Sequence, residues 1–318
     1  SFQDAAQNGG DSEAFHRGNL LQNGHSPAEG RTGGARCTGG LSPIGMDDHF
    51  RAFSFVDRIE PGASGMRIRG SYSIPAGLAE FPGSLVAESV GQLAAWAAMA
   101  AVDFRARPVA GIASRVLMNG IARPGQTLEL AAVLESVDDE AIGYSGSASV
   151  NGVEILSLQH CVGPMMPVAE FDEPQLLRAR LALLCDAGAV PGVFGGVPAM
   201  TLNRTSGEVG QVARATLQVP VAAPLFADHF PRKPVFPGSL LMHHQLQLAA
   251  ALAVEIPPPN GSAWSLREIT DMKLRSFIPP GSQLELEVKL LGRGDKTAEL
   301  ALEGRREQRL VGAARVLL

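Results

Sequence analysis

Aromatic residues are scarce in this chain of 318 residues: 13 Phe, two Tyr and two Trp make up 5% of it. A protein that holds single-stranded nucleic acid by stacking needs more such faces, and a net charge of −5 with a pI near 5.8 supplies no basic surface for phosphates. Nucleic acid is therefore excluded as a partner. Cysteine is equally sparse. Cys37, Cys161 and Cys185 are odd in number, far apart and without a Cys-x-x-Cys or Cys/His spacing, which excludes a disulfide framework and a zinc site and fits a reducing cytoplasm. No basic start followed by an apolar block opens the chain, so no signal peptide is expected. The two longest apolar stretches are interrupted, one by Glu88 and Gln92, the other by His243, His244 and Gln245. Polar groups in mid-run are costly in lipid, so neither stretch is expected to span a membrane.

An apolar content of 45% over this length is enough for one large or two ordinary globular domains. Residues 1–45 are rich in Gly, Ser, Asn and scattered charge without a period of 2 or 3.6, which predicts a disordered tail or linker. From Phe53 the pattern becomes strand-like through Ile59, and alternation over Arg67–Ser73 predicts a second strand. Phe81-Pro82-Gly83-Ser84-Leu85 then opens an apolar run to Val102 that reads as a buried helix. Strand material follows at Gly111–Asn119, Leu128–Leu134 and Ile142–Leu158, the last broken by the hairpin signal Asn151-Gly152. Residues 167–199 read as a connector, with a short amphipathic helix over Glu173–Cys185.

The second part of the chain repeats the first. Phe81-Pro82-Gly83-Ser84-Leu85 returns as Phe236-Pro237-Gly238-Ser239-Leu240, and Pro124-Gly125-Gln126-Thr127-Leu128-Glu129-Leu130 returns as Pro280-Gly281-Ser282-Gln283-Leu284-Glu285-Leu286. The first recurs after 155 positions and the second after 156. A repeat of this kind, with the same order of elements, predicts two copies of one supersecondary unit.

The most informative stretch is Asp228-His229-Phe230-Pro231-Arg232-Lys233-Pro234-Val235-Phe236-Pro237-Gly238-Ser239, followed by an apolar helix to Val254. Three prolines and a glycine exclude helix and mid-strand, so the histidine stands in a rigid loop that ends at a helix N-terminus. His-Phe-Pro-x-x-Pro-x-x-Pro-Gly before a buried helix resembles the active-site signature of the hotdog-fold 3-hydroxyacyl-acyl-carrier-protein dehydratases of bacterial fatty-acid synthesis. Two residues depart from that pattern: the family usually has Gly at the positions of Asp228 and Arg232. The resemblance implies an α+β fold, a double hotdog in which two curved antiparallel sheets each wrap a long central helix. Its first copy is expected at 46–166 and its second at 200–318.

In the family the site is shared, with histidine from one hotdog and a Glu or Asp of the central helix from the other, fourteen positions after that chain's own histidine. Fourteen beyond His229 stands His243; in the first copy the gapless repeat aligns Ile74 with His229 and Glu88 with His243. The resemblance thus implies one complete pair, His229 with Glu88, and one empty pair. Dehydration of a 3-hydroxyacyl thioester needs a base for the α-proton, an acid for the hydroxyl and a donor for the enolate-like oxygen. His229 suits the first, Glu88 in an apolar helix the second, and the backbone N–H of Gly238 the third. Gln92, one turn beyond Glu88, is placed to orient it, and Phe236 and Gly238 are expected beside the substrate.

No metal is expected, because the adjacent His243 and His244 point different ways on a helix. No cofactor is expected beyond the phosphopantetheine of an acyl carrier protein or coenzyme A that carries the substrate. Arg232 and Lys233 either touch an acidic carrier or lie in a solvated loop. The assembly implied is a monomeric pseudo-dimer or a homodimer of double hotdogs. Two rivals stand beside the dehydratase: a hotdog acyl-thioester hydrolase, and a non-catalytic acyl-binding or structural double hotdog.

Overall fold

Alternation of buried and exposed side chains builds most of the strands. The computed structural model describes residues 49–60, 66–258 and 263–318, and the expectation for residues 1–45 lies outside the described residues. Strand β1 (Arg58–Ile59) pairs with β2 (Arg67–Ser73), where Ile68 and Tyr72 face inward and Arg67 and Arg69 outward. After α1 (Gly83–Ala101) come β3 (Ala106–Pro108), β4 (Ile112–Met118), β5 (Thr127–Val137), β6 (Ala141–Val150) and β7 (Val153–Pro167). Asn151 and Gly152 turn β6 into β7 with φ of 51° and 73°, the left-handed pair that a two-residue hairpin demands. Helix α2 (Pro174–Cys185) lies in the connector. The second half comprises β8 (Leu202–Arg204), β9 (Val212–Gln218), α3 (Gly238–Glu255), β10 (Glu268–Leu274), β11 (Gln283–Arg293), β12 (Ala298–Arg306) and β13 (Arg309–Leu317).

Every pairing is antiparallel, in the order β1-β2-β5-β6-β7-β4-β10-β13-β12-β11-β9-β8, with β3 beside β7. The halves join at β4 and β10. Their register, from Leu117 opposite Glu268 to Ile112 opposite Lys273, maps onto itself when the repeats are exchanged, so a pseudo-twofold axis passes through this seam. The outcome is the double hotdog, with α1 packed on β5 and β6, α3 on β9 and β11, and the two helices touching each other.

Both helices start immediately after a proline, and the carbonyls of Pro82 and Pro237 accept the first backbone N–H groups, from Leu85 and Val86 and from Leu240 and Leu241. Leu85, Val90, Leu93, Leu240, Leu241 and Leu252 are wholly buried, each worth about 2 kcal/mol relative to exposure. Two polar residues inside the helices are satisfied within them: Ser89 Oγ donates to Leu85 O at 2.8 Å, and the ring of His244 bonds Leu240 O at 2.7 Å. No helix among the described residues is long and apolar enough to cross a membrane, which leaves β-barrels untouched.

One element differs from expectation. Of the segment Phe53–Ile59 only Arg58 and Ile59 form a strand, because the backbone groups of residues 50–55 bond side chains instead of a neighbouring strand.

Helix α1 lies close on β6 because Gly146 has no side chain: a Cβ there would stand 2.6 Å from Ala131 O and 2.6 Å from Val90 Cγ1. Gly146→Ala is therefore expected to lower stability by about 1–3 kcal/mol, as overpacking does. Gly292→Ala, with nothing within 4 Å, is expected to change it by no more than about 0.5 kcal/mol. Equal denaturation midpoints in urea for the two variants would contradict this packing.

Candidate active site

The loop between β9 and α3 is held by its own backbone. A 3-10 turn over Pro224–Ala227 lets the His229 N–H donate to Leu225 O at 2.9 Å, and the Val235 N–H returns to His229 O at 2.9 Å. The Phe236 N–H donates to Ile278 O at 2.8 Å, tying the far end of the loop to the chain beyond β10. His229 Nδ1 lies 2.8 Å from Val235 O. A carbonyl can only accept, so Nδ1 carries the hydrogen and Nε2 is left with its lone pair. The ring stacks on Phe230 at 4.1 Å and meets Phe53 edge-on at 5.7 Å.

The charge of Glu88, on α1 of the first half, acts on this histidine of the second half. Burial lowers the His229 pKa below its usual 6.5; the Glu88 charge opposes the shift and the Arg107 charge adds to it. Glu88 itself is half-buried. Its Oε1 accepts from Gln92 Nε2 at 3.1 Å, and Gln92 is fixed in turn, with Nε2 donating to Phe53 O at 3.1 Å and Oε1 accepting from the Phe55 N–H at 2.8 Å. Gln92 thus sits where the helical spacing puts it, against Glu88.

Gly238 opens α3, and the backbone N–H groups of Gly238 and Ser239 have no acceptor among the described residues. A Cβ on Gly238 would stand 2.2 Å from Leu274 Cδ1, so the first turn of α3 lies directly against β10. Phe236 belongs to the hydrophobic core at 1% exposure and offers a substrate almost no surface in this conformation.

One sequence reading is corrected and one is extended. The repeat does not align Ile74 with His229: the Ile74 N–H donates to Gln126 O and the Val219 N–H to Ser282 O, both at 2.9 Å, and Gln126 and Ser282 are matched turn residues. Ile74 therefore corresponds to Val219. The first half connects β2 to α1 through nine residues, 74–82, where the second uses nineteen, 219–237, and the whole histidine loop has no counterpart. A gapless offset cannot reveal an insertion that ends before the matched Phe-Pro-Gly. Secondly, Arg232 and Lys233, both still partly exposed, also pair with the connector. Arg232 bonds Ala169 O at 3.0 Å and pairs with Glu173, and Lys233 Nζ reaches Glu170 at 3.1 Å, so both dock the connector onto the loop.

Sequence reasoning missed Arg107. From β3 its guanidinium lies 3.9 Å over the Phe230 ring and 3.6 Å from Asp172 Oδ2, with buried Nε and Nη1 lacking hydrogen-bond partners among the described residues. Burial lowers its pKa to about 10, against the charges of Asp172 and Glu88, so it stays cationic at neutral pH. No periodicity marks an arginine on a three-residue strand. His243, in the other cleft, faces Gln247 Nε2 at 3.1 Å and Glu80 at 4.0 Å, and burial lowers its pKa.

Comparisons agree with this architecture. A family model described as ApeI-like, ApeI dehydratase, matches residues 205–311, which contain the histidine loop and α3. The chain is 34% identical over 85 residues to the 3-hydroxyacyl-acyl-carrier-protein dehydratase FabZ of Albidiferax ferrireducens, covering 26% of this chain and 57% of that protein. With the enzyme of the same name from Shewanella loihica it shares 30% identity over 102 residues, 30% of this chain and 67% of the relative. A solved structure from Lactobacillus plantarum, named as an oleoyl thioesterase, superposes with a TM-score of 0.53 over 81% of this chain and 96% of that one at 9% identity, a likeness of fold alone. The fold is that of a double hotdog. The chain belongs to the hotdog-fold 3-hydroxyacyl-acyl-carrier-protein dehydratase family, although it spans only 57% of the length of some relatives it matches.

The two charges on His229 act in opposite senses, which a titration followed by NMR of the ring would resolve. Glu88→Gln is expected to lower the His229 midpoint further, since a charge that stabilises imidazolium is removed. Arg107→Met is expected to raise it. A midpoint that moved in the same direction in both variants would contradict the geometry.

Proposed function

We propose that this protein removes water from 3-hydroxyacyl thioesters, giving trans-2-enoyl thioesters, at one composite site between its halves. The observation that carries the reading is His229, with its Nε2 lone pair free, its neutral form favoured by burial and the charge of Glu88 from the opposite half acting on its ring. His229 Nε2 takes the C2 proton and the electron pair becomes the C2–C3 π bond. The C3–O bond breaks, and the departing hydroxyl, held in place by Glu88, takes from His229 the proton just removed from C2 and leaves as water, which restores neutral His229. The N–H of Gly238, at the positive end of α3, is assigned to the thioester oxygen while charge builds there.

Fatty-acid or polyketide synthesis is the setting that the resemblance implies, with the substrate on the phosphopantetheine arm of an acyl carrier protein, the carrier in the relatives' names, or of coenzyme A. We assign no further cofactor, since every proton in the step has a side chain to receive or supply it. The other cleft is assigned no turnover. It has the glycine start of α1, but the shortened loop supplies no histidine, and His243 occupies the place of the helix carboxylate.

His229→Ala and Glu88→Gln are each expected to lower kcat/KM by about 10²–10⁴-fold, and His243→Ala to leave it near the wild-type value. The assay follows absorbance of the conjugated enoyl thioester beside a thiol reagent. Thiol release without the enoyl product would instead assign the protein to thioester hydrolysis. A loss in His243→Ala equal to that in His229→Ala would refute the pairing.

The pH dependence follows from the histidine. Imidazolium cannot accept the C2 proton, and burial lowers the pKa, so kcat/KM is expected to hold steady down to about pH 6.5 and to fall below it. An acid limb centred above 6.5 would contradict the assignment of His229 as base.

A further inference from the structure

The residues preceding β1 lie across the site as a strap. Residues 50–55 form no strand with a neighbour, yet their backbone is tied at both ends to groups that flank the reacting pair. At one end the Asp228 carboxylate accepts three backbone N–H groups: Phe50 on Oδ1, and Ala52 at 2.8 Å and Phe53 at 2.6 Å on Oδ2. At the other end Gln92 holds the Phe53 carbonyl and the Phe55 N–H, and the same amide group donates to Glu88. Between these ties the Phe53 ring, 3% exposed, rests edge-on against His229 and at 4.8 Å against Phe55.

We propose that Asp228 is a positioning residue for this site: its carboxylate clamps residues 50–53, and through that strap one constraint holds the His229 ring and the Gln92–Glu88 pair together. Three N–H donors on one carboxylate form a charge-assisted set that an amide side chain cannot reproduce, since it has one acceptor oxygen and would turn donors toward donors. The same residue precedes His229 directly, so the loop and the strap cannot shift independently. Phe53 completes the arrangement by keeping water from one edge of the imidazole, the condition that depresses its basicity. The residue at position 228, where the dehydratase pattern usually has glycine, is thus given a task by this chain's own strap.

The clamp acts within the dehydratase reading, so one arm of its test is independent of turnover. In the full chain, with folding checked by thermal unfolding, Asp228→Asn and Gln92→Ala are each expected to lower kcat by roughly 10- to 100-fold with little change in KM, the scale of a misplaced reacting group. The double variant is expected to lose no more than the worse single, because both act through one strap. In the second arm, the His229 ring is titrated by NMR, its signal assigned with His229→Ala. Asp228→Asn is expected to raise the midpoint toward 6.5 as water reaches the ring. Phe53→Leu, which leaves all the clamp's hydrogen bonds in place, is expected to raise it too, and supplies this arm if Asp228→Asn does not fold. Multiplicative losses in the double variant, or an unchanged His229 midpoint in the variants that fold, would overturn the proposal. If the wild-type chain dehydrates none of the thioesters offered, the functional reading fails and the titration alone decides the clamp.

Discussion

The antiparallel pairing of β4 with β10 is the constraint on which the site depends. Its register is symmetric under exchange of the two halves, so it fuses the sheets about a pseudo-twofold axis and sets α1 beside α3. In that arrangement the charge of a carboxylate in the second turn of α1 acts on a histidine in the loop before α3. A seam through backbone hydrogen bonds tolerates little sliding: a slip of one residue would turn Val116 and Ile269, both buried there, to the opposite face.

Around that seam the halves differ in chain length. The second carries a connection ten residues longer, nineteen against nine, and those residues supply the 3-10 turn, Asp228, His229 and the docking site for the connector. The first keeps the helix carboxylate and contributes Arg107 from β3. A buried guanidinium is expensive unless opposite charge and a polarisable face surround it. Asp172 and the Phe230 ring provide both, and the cation in turn favours neutral imidazole at the position that needs a base. The electrostatics of the pair therefore belong to both halves.

Much of this was legible in the sequence for a physical reason. Phe-Pro-Gly at a helix start and Pro-Gly at a tight turn are backbone requirements, and both recur where the fold repeats: Gly125 and Gly281 adopt φ of 83° and 76°. Helical spacing alone placed Gln92 against Glu88. What escaped were features without a local period. The alignment of Ile74 with His229 failed because hydrophobic pattern cannot locate an insertion within a loop. Phe53 and Phe55, in a segment apolar enough to read as strand, pair through their backbone with side chains 37 and 175 positions distant, which no window along the chain contains. Arg107 and the pairing of Arg232 with the connector depend likewise on tertiary packing.

The central claim is that the chain holds one working pair, formed by His229 and Glu88 from opposite halves. The most direct measurement uses a thioester analogue that becomes reactive only after an α-proton has been removed, with peptide mapping of the fully inactivated protein by mass spectrometry. The account predicts one adduct per chain, on His229. Two adducts, or a single adduct on His243, would show the second cleft at work and contradict it.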